Sequence, residues 1–207
     1  MSATRDAAAT ADDAAAVAAL RAGDADVFAA LVDEHAGAML RLAGTVVGSR
    51  AVAEQVVRET WAKALRALDS FDARSSLRTW LFTILLDTAR PRAGGEAPFS
   101  PRAGLDDEAP AVDPDRFRPA GAQWAGGWKS FPEPFPAGLD PTATRARARE
   151  AIESLPDGQR AVIELRDVDG WDATDVCNVL GLSETEQRAL LHRARSTVRQ
   201  ALEDFVT

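Results

Sequence analysis

Residues 181–199 read GLSETEQRALLHRARSTVR, and most of the fold follows from how this stretch is parsed. Gly181 suits a left-handed helix-terminating position, where other residues are strained. Ser183 with Glu186 three residues on forms a capping box, which satisfies free backbone donors at the start of a helix. A helix ending at Gly181, a short turn and a second helix beginning after Ser183 predict a helix-turn-helix. Within the second helix Thr185, Arg188 and His192 fall on one stripe by three- and four-residue spacing. Arg188 has the fork to read a guanine edge, and Thr185 suits a thymine methyl or a phosphate. Arg193, Arg195 and Arg199 suit phosphate contacts, which position without specifying. Glu184 and Glu186 repel phosphates but accept from cytosine, so they sharpen choice more than they strengthen grip. A solvated arginine face on a helical hairpin would share the same pattern.

The rest of the chain is set against broad attraction to nucleic acid. Its 207 residues carry a formal net charge of -8, which disfavours non-specific binding to a polyanion. A local basic patch still works if something else delivers it to DNA. Cys177 is the single cysteine, so neither an intramolecular disulfide nor a cysteine-cluster zinc site is available. His35 and His192 form no metal-ligand pattern and accompany no recognisable nucleophile motif. Cys177 reads as a small packed core residue, and GWDATD and AGGEAP match no phosphate loop. No active site and no cofactor or metal site is expected. The opening MSATRDAAATADDAAAVAAL lacks the apolar core of a signal peptide. The longest apolar stretch, WLFTILL at 80–86, is too short for a bilayer. These features predict a cytoplasmic protein without membrane insertion.

Upstream, helical periodicity holds from about Gly23 to Arg90. Phe28, Leu31 and Val32 recur at helical spacing, as do Met39, Leu40, Ala43, Val46 and Val47. AEQVVRETWAKALRAL supplies a third stripe of Val56, Val57, Trp61, Ala64, Leu65 and Leu68. SFDARSS breaks it, Ser75 or Ser76 caps a helix beginning at Leu77, and Pro91 limits that helix. Between Arg92 and Asp140, proline, glycine and acidic residues erase any period, as in a linker. Its Trp124, Trp128, Phe131 and Phe135 suggest a segment that docks on a surface or covers a patch. Beyond Pro141, helices follow around Ala151, Ile152 and Leu155, then around Ala161, Val162, Ile163 and Leu165. A third spans 174–180 and a fourth runs from Glu184 towards Phe205. The expectation is an all-α protein of two small bundles: a tail at 1–21, a first bundle at 22–92, a linker at 93–140 and a helix-turn-helix bundle at 141–207.

Taken in order, DVFAALVDEHAGAMLRLA, AEQVVRETWAKALRALDSFDARSSLRTWLFTIL and AIESLPDGQRAVIELRDVDGWDATDVCNVLGLSETEQRALLHRARSTVR resemble an extracytoplasmic-function (ECF) sigma factor of the bacterial sigma-70 family. The likeness runs from about Ala22 to Phe205. Its most specific words are FDARSSLRTWLF, LPDGQRAVIELRDVDGW and LLHRAR. The resemblance implies a partner, core RNA polymerase, met at its β′ clamp helices and its β subunit. The clamp would meet the face carrying Gln55, Arg58, Glu59 and Trp61. It implies that the loop at 71–76 and the helix bearing Arg78, Trp80 and Asp87 open the minus-ten element of promoter DNA. It further implies a linker threading the active-site channel and a helix from Glu184 reading the minus-thirty-five element, with Ser183 at its start. An anti-sigma factor is a typical further partner. Polymerase would then supply the electrostatic attraction that an acidic chain lacks.

The chain departs from the family pattern at several positions. Gln55 stands where an acidic residue is usual, Arg58 where glutamine is, and Asp87 where asparagine is. A carboxylate at Asp87 loses the amide's donors and adds repulsion near DNA. Pro91 and AGGE replace a basic helical tail, and Gln187 takes a usual apolar core position. The competing reading is a sigma-like regulator that binds DNA or a partner without initiating transcription. Such a regulator has no need of a strand-opening segment, so FDARSSLRTWLF favours initiation. A purely helical interaction protein would not need the helix-turn-helix with its arginines.

Overall fold

In the computed structural model, residues 2–94, 99–105 and 140–206 are described, side chains from 12 to 205. These residues form eight α-helices and no strand. The helix starts follow local chemistry. Asp24 caps α2 (Ala25–Val47) by accepting from the N–H groups of Asp26 and Val27 at 3.0 and 3.1 Å, and Gly48 closes it in the left-handed region. Helix α3 spans Arg50–Ala67. Ser76, one of the two serines expected, caps α4 (Leu77–Ala89) at the Thr79 N–H. Pro91 sits in the 3-10 turn Arg90–Arg92 that ends it.

The segment expected to be a tail is instead helix α1 (Ser2–Arg21). Alanine carries the highest helix propensity, and the helix finds partners on the first bundle. Val17 is buried, with Ala16 and Leu20 packed against the same core. Asp13 accepts the Leu77 N–H at 2.8 Å, a second cap on α4 from 64 residues away. Arg21 donates to the Leu68 carbonyl at 2.9 Å.

The second bundle comprises α5 (Pro141–Glu153), α6 (Asp157–Ile163), α7 (Ala173–Leu180) and α8 (Glu184–Val206). The break between α5 and α6 falls at the expected LPDGQ, and α6 runs on through a π turn, Glu164–Val168. Cys177 is buried here, in keeping with a core role.

Sequence periodicity divides the chain into two bundles, yet they meet directly and share one apolar core. Phe82 of α4 stacks edge-on against Trp171 at 4.5 Å between centroids. Arg78 lies 4.3 Å over the same indole and pairs with Asp175 of α7 at 2.8 Å, while Thr79 donates to the other oxygen of that carboxylate at 2.9 Å. On the neighbouring helix Thr45 donates to buried Glu164 at 3.2 Å, and Arg41 pairs with Asp169. Of the linker, residues 99–105 lie against the second bundle. The four aromatics at 124, 128, 131 and 135 lie outside the described residues.

Candidate nucleic-acid interface

The helix-turn-helix is built from backbone chemistry upward. Asp172 caps α7 by accepting from the Asp175 N–H at 2.8 Å. Gly181 adopts φ 69, and the N–H groups of Gly181 and Leu182 both reach the Cys177 carbonyl. The capping box forms as expected: the Ser183 N–H donates to Glu186 at 2.7 Å and the Glu186 N–H to the Ser183 hydroxyl at 3.2 Å. Gln187 is buried at the position where an apolar residue is usual, and its side-chain nitrogen has no partner among the described residues.

Thr185, Arg188, His192 and Arg195 are exposed along α8, and Arg199 continues their three- and four-residue spacing, half-buried. Arg193 lies off this stripe. The arginines are already engaged within the chain. Arg188 pairs with exposed Glu184 at 2.6 Å, and Arg199 pairs with Glu203 at 2.9 Å. Arg195 holds Asp167 with two nitrogens, at 2.7 and 2.8 Å. Arg195 and Arg199 also border an open groove of about 480 Å³ floored by Ile152, Ile163 and Val198.

On the first bundle the expected residues are separated by their surroundings. Arg78 faces the second bundle, held by Asp175 and Trp171. Trp80, half-buried, stacks edge-on against Phe71 at 5.4 Å and so braces the loop at 71–76. Asp87 is exposed and lies 3.7 Å from Arg90. Gln55 and Arg58 are exposed on α3. Glu59 accepts from Gln55 at 3.1 Å and from Arg92 at 2.5 Å, and the Arg92 hydrogen bond holds its carboxyl below the usual range. Trp61 does not share that face. It is buried edge-on against Phe28 at 5.6 Å, because the indole belongs to the apolar stripe of α3 and fills the bundle interior. The face is therefore Gln55, Arg58 and Glu59, with Trp61 behind it.

Sequence reasoning missed Arg41, Thr45, Thr79, Trp171 and Asp175, the residues that join the bundles, and Arg102, which meets the helix-turn-helix. A tryptophan straight after Gly170, outside every helical stripe, was the available signal for a docking contact. Among the described residues no cluster could hold a metal ion, and no helix is long and apolar enough to cross a membrane.

The first bundle, with its capped α4, and the second, with its capped helix-turn-helix, each match a known family. The Sigma-70 region 2 family matches residues 31–91, and the Sigma-70 region 4 family matches residues 145–198. The ECF RNA polymerase sigma factor SigG of Mycobacterium tuberculosis is 33% identical over 198 residues, covering 89% of this chain and 51% of that protein. The ECF RNA polymerase sigma-E factor of Salmonella typhimurium is 28% identical over 184 residues, covering 89% of this chain and 91% of that one. The chain thus spans about half the length of SigG and nearly all of sigma-E. The sigma factor RpoE of Bartonella quintana, solved with the anti-sigma factor NepR, matches the fold with TM-score 0.53 and 23% identity over 85% of this chain and 96% of that one. The chain belongs to the ECF sigma factors of the sigma-70 family.

Proposed function

We propose that this protein binds core RNA polymerase and directs promoter-specific initiation of transcription, without enzymatic activity of its own and in the cytoplasm. The observation that carries the reading is the co-occurrence, in order, of the capped α4 with its 71–76 loop and the capped α8 with its exposed Thr185, Arg188 and His192. A regulator that never opened DNA would need only the second. Gln55, Arg58 and Glu59 form the face offered to the β′ clamp helices, and the β subunit is a further polymerase contact. Arg78, Trp80 and Asp87 serve the minus-ten element. Ser183, Glu184, Thr185, Arg188 and His192 serve the minus-thirty-five element, while Arg193, Arg195 and Arg199 hold phosphates. An anti-sigma factor is a further partner, as NepR is for its own sigma factor.

The internal pairing of the arginines supports a division of labour with polymerase. Exposed ion pairs contribute little stability, so each arginine can exchange its carboxylate for a phosphate once the enzyme has brought DNA within reach. Run-off transcription with core polymerase across a promoter library tests the proposal. Promoter-selective transcripts are expected. Failure to co-elute with core polymerase at micromolar concentration would end it.

A further inference from the structure

Residues 99–105 make a small folded strap on the second bundle. The Ala103 N–H reaches the Ser100 carbonyl and the Leu105 N–H the Arg102 carbonyl, each at 3.0 Å. Phe99 and Leu105 pack against the core. Gly158 lies directly beneath the strap, where a Cβ would stand 2.6 Å from the Ala103 carbonyl oxygen and closer still to that of Pro101. Beside it, Gln159 donates to the Gly104 carbonyl at 3.1 Å. The strap therefore has a fitted seat.

That seat presents Arg102 to the turn of the helix-turn-helix. Its guanidinium donates to Glu186 at 2.6 and 3.4 Å and to the Gly181 carbonyl at 3.0 Å. One side chain thus grips both ends of the turn, the glycine that stops α7 and the carboxylate of the α8 capping box. Glu186 also accepts the Ser183 N–H. The Arg102 hydrogen bonds, with those from Ser183, hold its carboxyl down at about 2. The pair is too exposed to matter much for stability, with Arg102 at 53% and Glu186 at 24%. Its weight lies in where it places charge. Glu186 sits in the first turn of the helix that would enter the major groove, where an uncompensated carboxylate repels the phosphates flanking it.

We propose that Arg102, from the segment between the two sigma regions, is a positioning residue for minus-thirty-five recognition: seated at the turn before α8, it cancels the charge of Glu186. This rests on the sigma-factor reading above. The segment between the regions then acts as part of the DNA-reading domain as well as its tether.

The test uses the full chain with core polymerase on two templates, one with a preferred minus-thirty-five element and one with that element randomised. Arg102→Ala should lower transcription several-fold on the first and leave the second unchanged. Glu186→Gln keeps the capping box, since glutamine serves at that position, but removes the charge. The double variant should therefore recover most of the lost transcription. An Arg102→Ala chain as active as the original overturns the proposal. So does a loss equal on both templates, or one that Glu186→Gln leaves unrepaired, since either marks a tether without a charge role. Silence of the unsubstituted chain on both templates would instead defeat the sigma-factor reading itself.

Discussion

Arg78 of the first bundle donates to Asp175 of the second at 2.8 Å while its guanidinium lies 4.3 Å over the Trp171 ring. A side chain proposed to serve the minus-ten element is thus occupied by the domain proposed to read the minus-thirty-five element. The two elements are far apart on promoter DNA, so both bundles can reach them only after this contact separates. On the proposed function, a partner that prefers the separated form would shift the population toward it.

Asp175→Ala should loosen the closed form. The carboxylate takes bonds from Arg78 and Thr79, and removing a partly buried, charge-assisted pair costs about 1–2 kcal/mol after allowance for solvent screening. Small-angle scattering should show a larger radius of gyration, and assembly with core polymerase should quicken. Unchanged scattering would mean that the apolar contact of Phe82 with Trp171 suffices to hold the bundles together.

Acidity should favour closure. Burial raises the carboxyl groups of Glu164 and Asp169 above the ordinary range, against the opposing pull of Arg160 and Arg41 on the first and of Arg41 and Arg78 on the second. Both lie where the bundles meet. Groups raised in the closed state bind protons there more tightly than in the open state. Their contribution is therefore complete below the ordinary carboxyl range and is lost as pH rises through the raised values. Hydrogen exchange at α2 and at the Glu164–Val168 turn should slow on acidification across that window, and Glu164→Gln should flatten the dependence. Faster exchange at lower pH, after correction for intrinsic rates, would reverse the sign.

Arg188→Ala should redirect promoter choice, losing about 1–3 kcal/mol at one base pair if the contact is bidentate. Arg195→Ala should weaken all promoters about equally, since a phosphate contact carries little direct sequence information. Competitive transcription from a library randomised at the minus-thirty-five element separates the two. If Arg188→Ala scales every promoter down together, the reading face lies elsewhere on α8.

Glu59→Lys and Trp61→Ala should fail differently. Lysine at 59 puts two cations side by side where Arg92 now pairs, and polymerase assembly should fall while the second bundle keeps its fold. Alanine at 61 removes a buried indole and should cost about 3–5 kcal/mol of stability. Thermal melts paired with gel-filtration co-elution distinguish a lost surface from a lost core. A stable Trp61→Ala chain that no longer binds polymerase would return the indole to the contact face.

The helix boundaries were legible because their causes are local. Ser76, Gly181 and the Ser183 and Glu186 pair act within a few residues, so their chemistry can be read in line. The face of Gln55, Arg58 and Glu59 was legible as polarity but not in depth, and the adjacent Trp61 was assigned outward although its stripe runs inward. Asp13 carries no local signal of its role, since its partner, the Leu77 N–H, lies 64 residues on. The pairing of Arg41 with Asp169 and of Arg78 with Asp175 left no trace in either local pattern. Charged residues on a helix read as solvated until a second surface arrives, and no periodicity announces one. Arg102 was hidden for a related reason: a proline- and glycine-rich text signals the lack of a helix, but not the presence of a seat such as Gly158.

The shared core has a thermodynamic corollary. Small bundles have modest cores, and the interface through Phe82 and Trp171 adds apolar burial to both. Heating the free chain should therefore produce one calorimetric transition, not two, with matching van't Hoff and calorimetric enthalpies. Opening gives up that mutual support, and polymerase must replace it. A chain released from the enzyme before it recloses should therefore be the form cut fastest in limited proteolysis.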